Sequence, residues 1–209
     1  YTEKTGTGSG DAKPVAIFAR LKRAYAKVTV NYTAGTGVSI TALRVENIPT
    51  RIYPFPATGN SPTDAFMNVD LIVNAGQTTY SFFMPENLRG NGTSTTAKEK
   101  NQPDNGPTQS GSARNLDYCT CIVLTGTYNY YPNNTPENAA NPISVEYRFY
   151  PGADMIRNYD IERGKHYTLT LDLKGANSAD ARVTITDGNV FTIADPDDVT
   201  HKDDIVFGE

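Results

Sequence analysis

In the segment His166-Tyr167-Thr168-Leu169-Thr170-Leu171-Asp172-Leu173, an apolar side chain stands at every second position. A period of two belongs to an extended strand with one buried face, and it does not fit the helical repeat. The same period recurs along the chain. Val15, Ile17, Ala19 and Leu21 alternate first, and Ala24, Ala26, Val28 and Val30 continue in the opposite phase. Strand alternation cannot slip by one residue without turning its face, so a bulge or break is expected near Lys22 and Arg23. Ile17, Leu21, Ala24 and Val28 also stand at helical spacing, but the β-branched Val28-Thr29-Val30 favours a strand.

Further strands follow between turn signals. Thr33-Ala34-Gly35-Thr36-Gly37 reads as a turn, with Val38, Ile40, Ala42 and Leu43-Arg44-Val45 as the second arm of a hairpin. Pro49, Pro54, Pro56, Gly59, Asn60 and Pro62 mark a connector and a candidate domain boundary. Short strands are expected at Leu71-Ile72-Val73 and over residues 79–84, stopped by Pro85. Others are expected over residues 118–128, 144–150, 166–173, 181–186 and 190–193. The polar stretch over residues 89–115 reads as a long, mobile loop, and residues 129–142 as another. Strands separated by turn-rich segments, with no convincing amphipathic helix beyond the first thirty or so residues, indicate an all-β, antiparallel sandwich.

Composition removes several kinds of chemistry. The chain has two histidines, His166 and His201, and two cysteines, Cys119 and Cys121. Their spacing fits no common zinc pattern, and cysteines at i and i+2 of one strand cannot easily form a disulfide. They read as small buried side chains. The net charge of −4 leaves no basic footprint for nucleic acid. No P-loop, dinucleotide-binding glycine pattern or Gly-x-Ser-x-Gly elbow occurs, and no apolar run is long enough for a membrane-spanning helix. His166 has no obvious nucleophile beside it, and Glu86 with Glu162 is a weak glycosidase pair. The acidic run Asp195-Pro196-Asp197-Asp198 lacks the spacing of a calcium loop and reads as a solvated tail. No catalytic residue, metal site or cofactor is assigned, and the chain is read as non-enzymatic.

Three segments resemble a known family. The first runs Leu21-Lys22-Arg23-Ala24-Tyr25-Ala26-Lys27-Val28-Thr29-Val30, followed by Leu43-Arg44-Val45-Glu46-Asn47-Ile48-Pro49. The second is Phe83-Met84-Pro85-Glu86-Asn87-Leu88-Arg89-Gly90. The third starts at Val145-Glu146-Tyr147-Arg148 and continues through Tyr159-Asp160-Ile161-Glu162-Arg163-Gly164-Lys165-His166-Tyr167. In this order they resemble the fimbrillin-like proteins of Bacteroidales, subunits of type V pili. Pro85-Glu86-Asn87-Leu88-Arg89-Gly90 is the most specific of the three and resembles the signature of one branch.

The resemblance implies transthyretin-like β-sandwich domains that polymerise by strand exchange, a neighbour's strand completing an open sheet. It implies a structural pilus subunit (stalk, accessory or tip) that contributes to adhesion, on the cell surface in an outer-membrane-associated pilus. The expected partners are other pilus subunits and a host glycan or protein. Nucleic acid is not expected, and membrane contact is expected only through a lipid anchor on a precursor. The chain starts at Tyr1 rather than Met, which fits either removal of a leader by proteolysis or a fragment boundary. Residues 1–62 read as the end of a partial sandwich domain contributing a hairpin, with the alternative that residues 14–48 add to the sheet of the domain that follows; residues 63–209 read as the C-terminal sandwich. Val199, Ile205, Val206 and Phe207 form a candidate donor or edge strand, although only Ile205 and Phe207 alternate properly. Tyr128, Tyr130, Tyr131 and Asn133 form a candidate adhesive loop, since Tyr supplies rigid amphipathic area and Asn hydrogen bonds. The alternative function is a surface module that binds carbohydrate or a host protein without polymerising.

Overall fold

The computed structural model describes residues 23–55, 61–108, 113–129, 142–175 and 178–187. Eight strands occur among them: β1 (Tyr25–Ala34), β2 (Val38–Pro49), β3 (Phe66–Leu71), β4 (Thr79–Pro85), β5 (Cys121–Tyr128), β6 (Ile143–Phe149), β7 (Lys165–Gly175) and β8 (Ser178–Asp187). They form two four-stranded sheets, ordered β4-β1-β7-β8 and β3-β2-β5-β6. The first described segment is strand rather than helix, as the β-branched run requires.

The period-two pattern sets the core. Ala26, Val28, Val30 and Tyr32 of β1 face inward beside Tyr80 and Met84 of β4 and Tyr167, Leu169, Leu171 and Leu173 of β7. Leu43 and Val45 of β2, Ile122 and Leu124 of β5, and Val145, Tyr147 and Phe149 of β6 meet them from the other sheet. Leu169, Leu171 and Leu173 are fully buried, and removing such a side chain costs about 2–5 kcal/mol.

The expected hairpin is not formed. β1 pairs with β4 and β7, whereas β2 pairs with β3 and β5, so the 35–37 turn carries the chain from one sheet to the other. Gly37 makes this crossing with φ of 82° and has the carbonyl oxygen of Asn129 only 2.6 Å from where a Cβ would stand. The alternation of β1 and β2 is satisfied equally well by facing each other across the core as by pairing edge to edge. β1 and β7 also run parallel, the one exception to antiparallel pairing among the described strands. The connector after β2 leads into β3, which pairs back onto β2.

β3 lies earlier than the apolar run Leu71-Ile72-Val73 suggests. Val69 and Leu71 pack on the core, but the chain leaves the sheet after Leu71 and Ile72 is 82% exposed. β5 likewise starts at Cys121, because Tyr118 has φ of 65° and breaks the strand. In β2, the pairing register shifts between Val45 and Ile48, and Asn47 takes φ of 57° in this bulge. The bulge keeps Ile48 buried despite the odd spacing from Val45.

β5 is buried on both faces. Ile122 and Leu124 enter the main core, while Cys119, Cys121 and Val123 form a second cluster with Tyr150 and Tyr159. Both cysteines are free and buried, and burial pushes each thiol up to about 12. The polar stretch expected as a mobile loop is, over its described part, tied down around this second cluster. Lys100 is buried, and its Nζ donates to the carbonyls of Asp154 and Asn158, each at 2.6 Å. Its ammonium lies 4.8 Å from the Tyr159 ring centroid, and the Tyr159 hydroxyl donates to the Lys100 carbonyl at 2.8 Å. Composition alone hid this packing, because the covering groups are backbone carbonyls and one long aliphatic stem.

Candidate functional site

The signature segment 85–90 leaves β4 and runs beside residues 157–161. Asn87 exchanges two backbone hydrogen bonds with Ile161, at 2.8 and 2.9 Å. The Asp160 carboxylate accepts from the backbone N–H groups of Arg89 and Gly90 at 2.7 and 2.6 Å. The side chains then point inward. Asn87 Nδ2 donates to the Tyr118 carbonyl and to Thr120 Oγ1, both at 2.9 Å, and its Oδ1 accepts from Arg89 Nε at 2.9 Å. Arg89 Nη2 donates to the carbonyls of Ser61 and Pro62, fastening the connector. Arg89 is buried, which lowers its pKa, and its Nη1 has no hydrogen-bond partner.

Glu86 forms a buried ion pair with Arg163 at 3.3 Å, and Arg163 Nη1 donates to the Tyr53 carbonyl at 2.8 Å. Glu162 pairs instead with Lys165 at 2.8 Å. The two carboxylates are thus engaged by different cations. His166 lies on the outer face of its sheet, where Nε2 and Thr29 Oγ1 are 2.9 Å apart and Thr29 in turn meets Ser81 Oγ at 2.8 Å. Burial, with Lys27 nearby, lowers the His166 pKa. No cluster of three or more His, Cys, Asp or Glu suited to a metal occurs among the described residues.

A concavity of about 330 Å³ opens behind the signature network, lined by Asn47, Leu116, Asp117, Tyr118, Arg148 and Tyr150. Asn47 and Tyr118, the two non-glycine residues with positive φ among the described residues, both line it. Such backbone costs about 1–3 kcal/mol and persists only where surrounding bonds hold it. Here the bonds converge on Asn87 and Thr120. Thr120 Oγ1 donates to the Asn47 carbonyl at 3.1 Å, while Asn87 Nδ2 holds the Tyr118 carbonyl. Asn47 is also fixed by its N–H to Asn68 Oδ1 and by its Nδ2 to the Cys119 carbonyl. Sequence reading found the signature but not the pocket, whose lining comes from three separate stretches. The only local signal was an Asn in a strand-like run, a residue that tolerates left-handed backbone.

Of the residues expected to form an adhesive loop, Tyr128 ends β5, where its ring packs partly buried against the core beside Gly175. Tyr130, Tyr131 and Asn133 lie outside the described residues, as do Val199, Ile205, Val206 and Phe207.

A family described as a domain of unknown function (DUF4906) matches residues 82–171, which include the signature and most of the pocket lining. No curated protein matches the chain. Among solved structures, the tip fimbrial protein Mfa3 from Porphyromonas gingivalis, with C-terminal truncation, is similar at a TM-score of 0.51 and 14% identity, over 79% of this chain and 52% of that one. A putative cell adhesion protein from Parabacteroides distasonis is similar at 0.47 and 13% identity, over 79% and 52%. One from Bacteroides uniformis is similar at 0.43 and 10% identity, over 80% and 51%. The chain thus spans about half the length of these structures. The two four-stranded sheets described above are similar in fold to about half of that tip fimbrial protein.

Proposed function

We propose that the chain is a non-enzymatic structural subunit of a bacterial surface pilus, at a stalk, accessory or tip position, contributing to adhesion. The observation that carries this reading is the two-sheet sandwich, a fold it has in common with a fimbrial tip protein. Its three sequence segments and their order support the same assignment to the fimbrillin-like proteins. The partners are other pilus subunits, and the place of action is the cell surface. Assembly proceeds by strand exchange, and residues 25–187 act as one sandwich unit. β4 and β8 border one sheet and β3 and β6 the other, and an uncovered border offers unpaired N–H and C=O groups to an added strand.

The test is to express the precursor in its native host, shear pili from the cells, and probe the fractions with antibody to this chain. Unheated SDS gels should show the chain in the pilus fraction as part of a detergent-resistant species. Truncation after Asp195 then asks whether Ile205 and Phe207 donate the strand, since loss of higher species assigns the donor there. A chain absent from sheared pili, and monomeric in unheated gels, overturns the reading.

A further inference from the structure

We infer that the pocket bounded by Asn47, Asp117, Tyr118, Arg148 and Tyr150 binds a neutral pyranose. The inference stands on the pocket alone and does not rest on the pilus assignment. Its volume, about 330 Å³, is at the small end of ligand sites, the scale of one or two sugar rings. The lining mixes donors and acceptors: the Asn47 carboxamide, whose Nδ2 is held by the Cys119 carbonyl, the Asp117 carboxylate and the Tyr118 phenol, with the carboxylate-bound Arg148 guanidinium and the buried Tyr150 phenol beside them. A sugar hydroxyl both donates and accepts, so it needs such a mixture.

Tyr118 supplies the apolar component. Its ring stacks on Phe66 with centroids 5.4 Å apart, yet 37% of the residue is exposed. A ring braced in this way offers a rigid stacking surface at little cost in side-chain entropy. The local charge selects against anions. Arg148 is engaged by Glu46 through Nη2 and by Glu146 through Nη1 at 3.1 Å, and Asp117 adds a further carboxylate at the rim. The Arg148 guanidinium is thus already occupied by carboxylates, which leaves less of its charge to attract an acidic sugar. The site is also pre-organised: the buried Asn87 and Thr120 side chains hold the carbonyls of both left-handed residues before any ligand arrives.

The experiment is a titration of the ¹⁵N-labelled full chain with D-galactose, D-mannose, N-acetyl-D-glucosamine and, as the acidic comparison, N-acetylneuraminic acid. At least one neutral sugar should shift amide resonances at positions 47, 116–118 and 148–150, more tightly than the acidic sugar does. Tyr118→Gly removes the stacking ring and suits the positive φ, so it should fold while weakening binding by at least about tenfold. Asp117→Ala, a second surface change, should weaken it several-fold, and Tyr53→Ala, which does not line this pocket, should leave it unchanged. The inference fails if no neutral sugar shifts those resonances, if the acidic sugar binds more tightly, or if Tyr118→Gly binds as well as the parent.

Discussion

Asn87→Ala tests the network on which both the signature segment and the pocket depend. The side chain is fully buried and makes three good hydrogen bonds, to the Tyr118 carbonyl, Thr120 Oγ1 and Arg89 Nε. The bond from Arg89 is to a charged donor, worth about 1.5–3 kcal/mol, and the two neutral bonds are worth about 1 kcal/mol each. Alanine should therefore cost about 4 kcal/mol, a large share of the 5–15 kcal/mol typical of a domain. The Arg89 part weighs most because its Nη1 already lacks a partner, so the guanidinium would be left buried with two unpaired nitrogens. Urea unfolding followed by tyrosine fluorescence suits a chain with 13 Tyr and no Trp. With a slope of about 2 kcal/mol/M the midpoint should fall by about 2 M. Adding Arg89→Met removes the stranded charge, so the double variant should lose much less than the sum of the two single losses. A midpoint change for Asn87→Ala below about 0.5 M, or strict additivity in the cycle, would refute the reasoning.

Three further outcomes are expected. Burial lowers the Lys100 pKa to about 7, so between about pH 7 and 9 the unfolded chain holds a proton at this site that the folded chain releases. Folding stability relative to Lys100→Met should therefore rise with pH across that window, by about 2 kcal/mol, and chemical denaturation at several pH values will measure it. Cys119 and Cys121, buried with thiols pushed up to about 12, should resist a thiol-titrating reagent in the native protein and both react in denaturant. Gly126→Ala would place a Cβ 1.9 Å from the Ser39 carbonyl oxygen, beside the register shift between Ile40 and Ala42 in the pairing of β2 with β5, and calorimetry should show destabilisation of about 2 kcal/mol or more.

Much of the sandwich was legible in the alternation of single segments. Tyr167, Leu169, Leu171 and Leu173 are buried as their spacing requires, as are Ala26, Val28 and Val30, because strand geometry sends alternate side chains to opposite faces whatever the partner. The burial of Cys119 and Cys121 also followed from residue type and position. The special backbone was not legible, since nothing in the order of residues says that Asn47 and Tyr118 share a pocket wall or that Asn87 stands behind both.

Alternation determined which side chains of this chain turn inward, and the turn-rich spacing determined that they do so from strands. Only the tertiary structure decided which strands are neighbours and which way they run. Backbone hydrogen bonding is nearly blind to sequence, so β1 could satisfy its pattern beside β2 or, as it does, between β4 and a parallel β7. The same holds for the polar groups. Lys100 is buried because two distant carbonyls and a tyrosine ring receive it, and those partners are brought together only when the sheets have packed.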